Sequence, residues 1–139
     1  MLAVIGGVVL LVIIVVVVLI VATSSSGGVN YNTLRTGNCF NRTTGPKEDK
    51  VACTALHQVE VTGTFQATAG PYPGEAGLRP QAVAECGTLA TEYLGSHPSD
   101  GLEIVWLVPA KGTWDDGIRA VICGVQNIDG SKRAGSIAG

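Results

Sequence analysis

Four cysteines and two histidines carry most of the chemical range of this sequence: Cys39, Cys53, Cys86 and Cys123, with His57 and His97. No two cysteines stand in a C-x-x-C pair, and two histidines cannot complete the usual ligand sets, so a zinc site is not expected. An even cysteine count in a small domain favours two disulfides and an oxidising compartment. His57 and Glu60 form an H-x-x-E. On a helix that spacing brings two metal ligands together, but on a strand it sends them to opposite faces. His57 is therefore expected to head a core-facing row and to bond a nearby backbone group, while His97 is expected in a solvated loop. Asp115 and Asp116 are adjacent acids in a turn or helix start rather than a converging catalytic pair. Arg119 is expected to pair with one of them or to stack on Trp114. Ser24, Ser25 and Ser26 lack a partnering base, and neither Gly6-Gly7 nor Gly27-Gly28 makes a phosphate loop. Asn41-Arg42-Thr43 matches a glycosylation acceptor, a pattern frequent by chance. No nucleophile, base and metal set converges. The expectation is a chain that is not an enzyme, with no catalytic residue, no metal ligand and no cofactor; the sequence defines no small-molecule ligand.

The elements that hold these residues begin with an apolar block. Leu2 to Val21 contains no charge, amide or hydroxyl. At 1.5 Å per residue it spans roughly 30 Å, the hydrocarbon thickness of a bilayer. It is longer than the apolar core of a cleaved signal peptide and lacks a basic segment before it, so an uncleaved anchor is expected over residues 1–22. The first cysteine, Cys39, comes too late for a lipoprotein. All 9 basic and 11 acidic residues follow the block, from Arg35 onward. The resulting net charge of −2 and the lack of a basic stripe set nucleic acid aside as a partner. The charge rule that orients membrane helices has no Lys or Arg to act on before the span. The cysteines place the remainder outside the cytoplasm, in a single-pass protein of the cell membrane.

Residues 23–28, TSSSGG, read as a flexible tether, residues 29–126 as one extracytoplasmic domain and residues 127–139 as a loose polar tail. Within the domain, His57 to Ala67 alternates, with His57, Val59, Val61, Gly63 and Phe65 on one face, as a half-buried antiparallel strand should. A helix is predicted from Gly77 to Leu94, with Pro80 in its first turn and Gly95 as its C-cap. Its buried stripe is Val83, Cys86, Leu89, Ala90 and Tyr93. Leu102 to Val108 is apolar on both faces, which predicts a central strand. Trp114 to Gly117 is a short turn or helical loop, and Ile118 to Val125 a last strand. Shorter strands are expected at Val51–Cys53 and near Val29–Leu34. The fold class is α+β: an N-terminal transmembrane helix, then a small antiparallel sheet with one main helix packed on one face and two disulfides. Ile104, Trp106 and Ile122 complete the expected core.

Four cysteines allow three pairings. Cys86 lies on the apolar stripe of the helix, and Cys123 shares parity with Val121 and Val125, so these two can meet. Cys39 and Cys53 flank the polar loop from Asn41 to Lys50 and can close it. The expected bridges are Cys39–Cys53 and Cys86–Cys123.

The order of these features resembles a known family. Gly37-Asn38-Cys39-Phe40 is followed by Val51-Ala52-Cys53, then His57 with Glu60-Val61. Tyr72-Pro73-Gly74, a helix holding Cys86, and Trp114, Gly117, Arg119 and Cys123 come after. This set is similar to the septum-formation domain family of actinobacterial membrane proteins, whose pattern has Asp where Asn38 stands and prolines at Ala52 and Leu56. The resemblance implies one anchor helix, an extracytoplasmic domain, and a link to cell division or envelope assembly without an established reaction. The first expectation is a membrane-anchored, non-enzymatic interaction domain at the envelope or division site. Its partners would be the lipid bilayer and other membrane proteins. The alternative is an accessory subunit of a large membrane complex, such as a respiratory supercomplex. Gly6-Gly7 would then offer a close-packing point for a neighbouring helix.

Overall fold

The computed structural model describes residues 30, 33–45 and 47–138. The expected anchor and tether lie outside these residues, and among the described residues no helix is long and apolar enough to cross a membrane.

Five strands form one antiparallel sheet: β1 (Cys39–Asn41), β2 (Asp49–Val51), β3 (Val59–Gln66), β4 (Leu102–Leu107) and β5 (Ala120–Asn127), in the order β2-β1-β3-β5-β4. One main helix, α1 (Gly74–Leu94), packs on one face, and a short helix, α2 (Lys111–Asp115), precedes β5. The α+β expectation with one main helix and two disulfides is met.

Several details of the sequence reading change. β3 does not keep one parity along its length. The register to β5 shifts between Val61 and Gly63, leaving Thr62 as an extra, bulged residue. Because side chains alternate along a strand, one inserted residue exchanges the faces beyond it. Val59 and Val61 therefore join Leu34, Phe40 and Ile122 in a cluster on the face away from α1. Beyond the bulge, Gly63 lies under Leu89 of α1, and Phe65 packs with Ala67, Leu78, Ala82, Trp114 and Val121. Both faces of the sheet thus carry a core. That explains β4, which is an edge strand rather than a central one. Val105 and Leu107 serve one core and Trp106 the other, so two-sided apolarity reports two covered faces and not a central position.

The buried row of α1 is Leu78, Ala82, Cys86, Ala90 and Leu94, a strict four-residue spacing. Val83 is 53% exposed and Ile104 40%, so neither belongs to the core. Small alanines at two contact positions let the helix lie close to the sheet, which turns Val83 to its flank. The helix begins a turn earlier than predicted, so Pro80 falls inside it. Proline removes the bond to the carbonyl four residues back. Here both Ala76 and Pro80 are exposed, and water can serve that carbonyl. Gly95 caps the helix at φ 54°, a left-handed conformation that suits glycine, and its N–H donates to the carbonyl of Thr91. The short strand expected at Val51–Cys53 is shifted back to Asp49–Val51, and Thr33 and Leu34 are not in a strand.

Candidate functional site

The most polar buried region lies on the helix side of the sheet, where β1, β3 and the end of α1 meet the C-terminal segment. Glu60 is fully buried in β3. Burying a carboxylate is costly unless its oxygens are satisfied. Here Tyr93 donates its hydroxyl to Oε1 at 2.6 Å, Ser136 donates its hydroxyl to the same oxygen, and the Ile137 N–H donates to Oε2 at 2.8 Å. The helix, the strand and the segment after β5 are tied together at one side chain. Two further contacts secure that segment: His57 and Arg133 exchange backbone hydrogen bonds, and the Gly135 N–H donates to the carbonyl of Cys53 at 2.7 Å. Residues 133–137 are therefore docked, where the sequence suggested a loose tail.

His57 is also fully buried. Its Nδ1 lies 2.9 Å from the carbonyl of Ala55, so that nitrogen carries the proton and donates. This is the backbone bond the sequence suggests. Its Nε2 is buried without a hydrogen-bond partner among the described residues. The expectation that His57 and Glu60 part to opposite faces is corrected. A ring nitrogen of His57, a Glu60 oxygen and the Cys39 sulfur lie within 4.8 Å of one another. The parity argument fails because β3 begins only at Val59, leaving His57 before the regular alternation. The trio does not fit a metal ion, since Cys39 is bonded to Cys53 and offers no thiolate.

Both disulfides pair as the cysteine spacing suggests. Cys39–Cys53 joins the β1–β2 hairpin to the loop before His57, with Cα atoms 5.2 Å apart. Cys86–Cys123 joins α1 to β5 with Cα atoms 5.1 Å apart. Both separations suit a disulfide. Asn41 lies in β1 and donates from its side-chain amide to the carbonyl of Leu56.

Trp114 anchors the opposite end of the helix-side core. It is 2% exposed, and its indole N–H donates to the carbonyl of Gly70 at 2.9 Å. Tyr72 packs against it with ring centroids 5.7 Å apart. Arg119 stacks on the Trp114 ring, its guanidinium 4.1 Å from the ring centre, and donates to the Trp114 carbonyl. Of the two options for Arg119, the stack is realised. Asp115 instead pairs with Lys111, and Asp116 and His97 are exposed. The glycines and serines of residues 6–7 and 24–28 lie outside the described residues.

Ser136 and Ile137 escaped the sequence reading, and Tyr93 was assigned only a packing role. The available signal is Tyr93 itself, a hydroxyl-bearing residue on a helix stripe that needs a buried partner.

These features define a small disulfide-bridged α+β domain in which buried Glu60 and His57 help to hold its parts together. Over residues 23–123 the chain matches the family described as septum formation, and it belongs to that family. No curated protein and no solved structure matches it.

Proposed function

We propose that the chain is a single-pass, membrane-anchored, non-enzymatic interaction domain that acts on the extracytoplasmic side, at the cell envelope or division site. The observation that carries this reading is membership of the septum-formation family over residues 23–123, which associates the chain with cell division or envelope assembly. Two further features support the finer points. Leu2 to Val21 is long enough and apolar enough to span a bilayer. The two disulfides favour an oxidising compartment. The non-enzymatic part rests on Glu60, whose oxygens are both engaged by internal donors and closed to solvent.

The test is made with the full chain in a dividing bacterium of the native kind. The protein should stay in the membrane pellet after alkaline carbonate washing. Protease added to intact spheroplasts should remove the domain. A fluorescent fusion should gather at division septa, and depletion should delay septation. Release by carbonate, protection from external protease, or uniform distribution with normal septation would each count against the part it addresses.

A further inference from the structure

The two edges of the sheet are built differently. β2 is three residues long and carries Asp49 and Lys50. β4 is six residues long, with Glu103 its single charge, no proline, and an unbroken register to β5. Sheets blunt an edge that must stay unpaired with short strands, charges, prolines or bulges. β2 is both short and doubly charged, whereas β4 carries one charge, Glu103, and none of the other devices. Among the described residues, no element pairs with the outer side of β4.

The surroundings of this edge are hollowed and mix apolar with charged side chains. Ala76 and Arg79 of α1 line a cavity of about 390 Å³ with Trp106, and Ala90 lines another of about 340 Å³ with Ile104. The exposed Val83 follows Arg79 by four residues and Ala76 by seven, so it lies on that same flank of α1. A third hollow, of about 210 Å³, crosses the edge itself and is lined by Arg42, Glu75, Ile104, Val105 and Trp106.

We propose that a second copy of this chain docks here, by antiparallel pairing of β4 with β4 about a two-fold axis through Ile104. Residues directly opposite in a sheet point to the same face, so a two-fold axis normal to the sheet must pass through a residue rather than between two. Three centres give substantial overlap: Glu103, Ile104 and Val105. Centring on Glu103 sets two carboxylates against each other, which is unfavourable. Centring on Val105 places each Glu103 opposite Leu107, which packs on the apolar cluster away from α1 as Val105 does but does not line the hollow shared with Arg42. Centring on Ile104 places Glu103 of the second copy opposite Val105, in the hollow that the exposed Arg42 also lines. The charge pair then forms twice, while Leu102 meets Trp106 on the helix face and the two Ile104 side chains meet at the axis. The Glu103–Arg42 charge pair, formed in a hollow that Glu75 also lines, is what favours a second copy in this register.

This deepens the reading of the domain as an interaction module and rests on it. The two fail separately, because a monomer can still gather at septa and a dimer can be absent from them. The experiment uses the full chain in mild detergent and in native membranes. Light scattering should give the mass of two chains. Ile104→Cys should yield a dimer band under oxidation in membranes, whereas Thr88→Cys on the outer side of α1 should not. Glu103→Arg and Arg42→Glu should each weaken the dimer by about tenfold or more, and the double variant should recover most of the loss. Ile104→Lys, with unchanged circular dichroism, should give monomers. A monomeric wild type, a folded Ile104→Lys that remains a dimer, or a double charge reversal no better than the single ones would overturn the proposal.

Discussion

At the scale of single residues, Glu60 is where most of the fold's polar tension is concentrated. Replacing it with Gln removes one acceptor oxygen, so either the Ile137 N–H or the two hydroxyl donors lose their partner. A buried donor left unpaired costs about 1–3 kcal/mol, and Glu60→Gln should lower stability by about that much in denaturant unfolding. Tyr93 reports on the same contact through pH. Burial, reinforced by the bond to Glu60, raises its hydroxyl above the ordinary phenol value of about 10, with the Ser136 hydroxyl opposing. A raised value means the folded state holds the proton more tightly than the unfolded one. The associated stability is therefore complete below about pH 10 and is lost as pH rises beyond it. In an ultraviolet titration of tyrosinate, one of the three tyrosines should ionise late, and Tyr93→Phe should remove that late component. If Tyr93→Phe removes no late component, the bond to Glu60 is not present in solution. Two glycines make a matched pair. A Cβ at Gly124 would sit 2.7 Å from a Val59 methyl and 2.9 Å from the Glu60 carbonyl oxygen, whereas one at Gly87 meets nothing within 4 Å. Gly124→Ala should destabilise by about 1–3 kcal/mol through overpacking, and Gly87→Ala should stabilise by about 0.5–1 kcal/mol through helix propensity. Comparing the two in one melting series separates crowding from propensity.

At the scale of elements, the Cys86–Cys123 bridge and the Trp114 anchor fix α1 to the sheet, while Cys39–Cys53 holds the β1–β2 hairpin to the loop before β3. The Cys86–Cys123 loop spans 37 residues and the Cys39–Cys53 loop 14. Chain entropy then assigns about 4 kcal/mol to the first and about 3 kcal/mol to the second. Double serine replacement at Cys86 and Cys123 should lower the melting temperature more than replacement at Cys39 and Cys53. Trp114→Ala should cost about 3–5 kcal/mol, because it opens a cavity in the helix-side core. Trp106→Ala, at a half-buried edge position, should cost clearly less. The sequence makes some of this legible and hides the rest for identifiable reasons. The end of α1 is readable because Gly95 and Pro98 forbid its continuation. Both cysteine pairings are readable because helical and strand parity bring Cys86 to Cys123 and because Cys39 and Cys53 flank one polar loop. The bulge at Thr62 is not readable, because threonine fits an alternating strand as well as a bulge. Missing that one residue assigns Gly63 and Phe65 to the wrong face. The edge position of β4 is hidden by a second core on the far face, which makes an edge strand look central. Glu60 is hidden because its partners come from 33 and more residues away, and no local pattern announces them.

At the scale of the whole molecule, the segment beyond the family match is part of the fold. The match ends at Cys123, yet β5 runs on to Asn127 and the chain then returns across the sheet to His57, Cys53 and Glu60. Its composition is that of a loop, with glycines at 130 and 135 in left-handed conformations that allow the reversal. Its hold on the domain comes from satisfying groups already buried, not from apolar area of its own. A chain ended after Ser131 would lose the donors from Ser136 and Ile137 and the paired backbone of Arg133. Glu60 would keep Tyr93 but would be left with an unpaired oxygen in buried surroundings, which is costly. Truncation after Ser131 should therefore cost about 2–4 kcal/mol, from the loss of hydrogen bonds to a buried charge. The penalty should shrink when Glu60 is also replaced by Leu, since no charge then remains to be satisfied. Denaturant unfolding of the full chain, the truncated chain, Glu60→Leu and the combination forms the cycle that measures this coupling. A truncated chain as stable as the full one would show that residues 132–138 rest on the domain without supporting it. Strict additivity in the cycle would show that whatever support they give does not pass through Glu60.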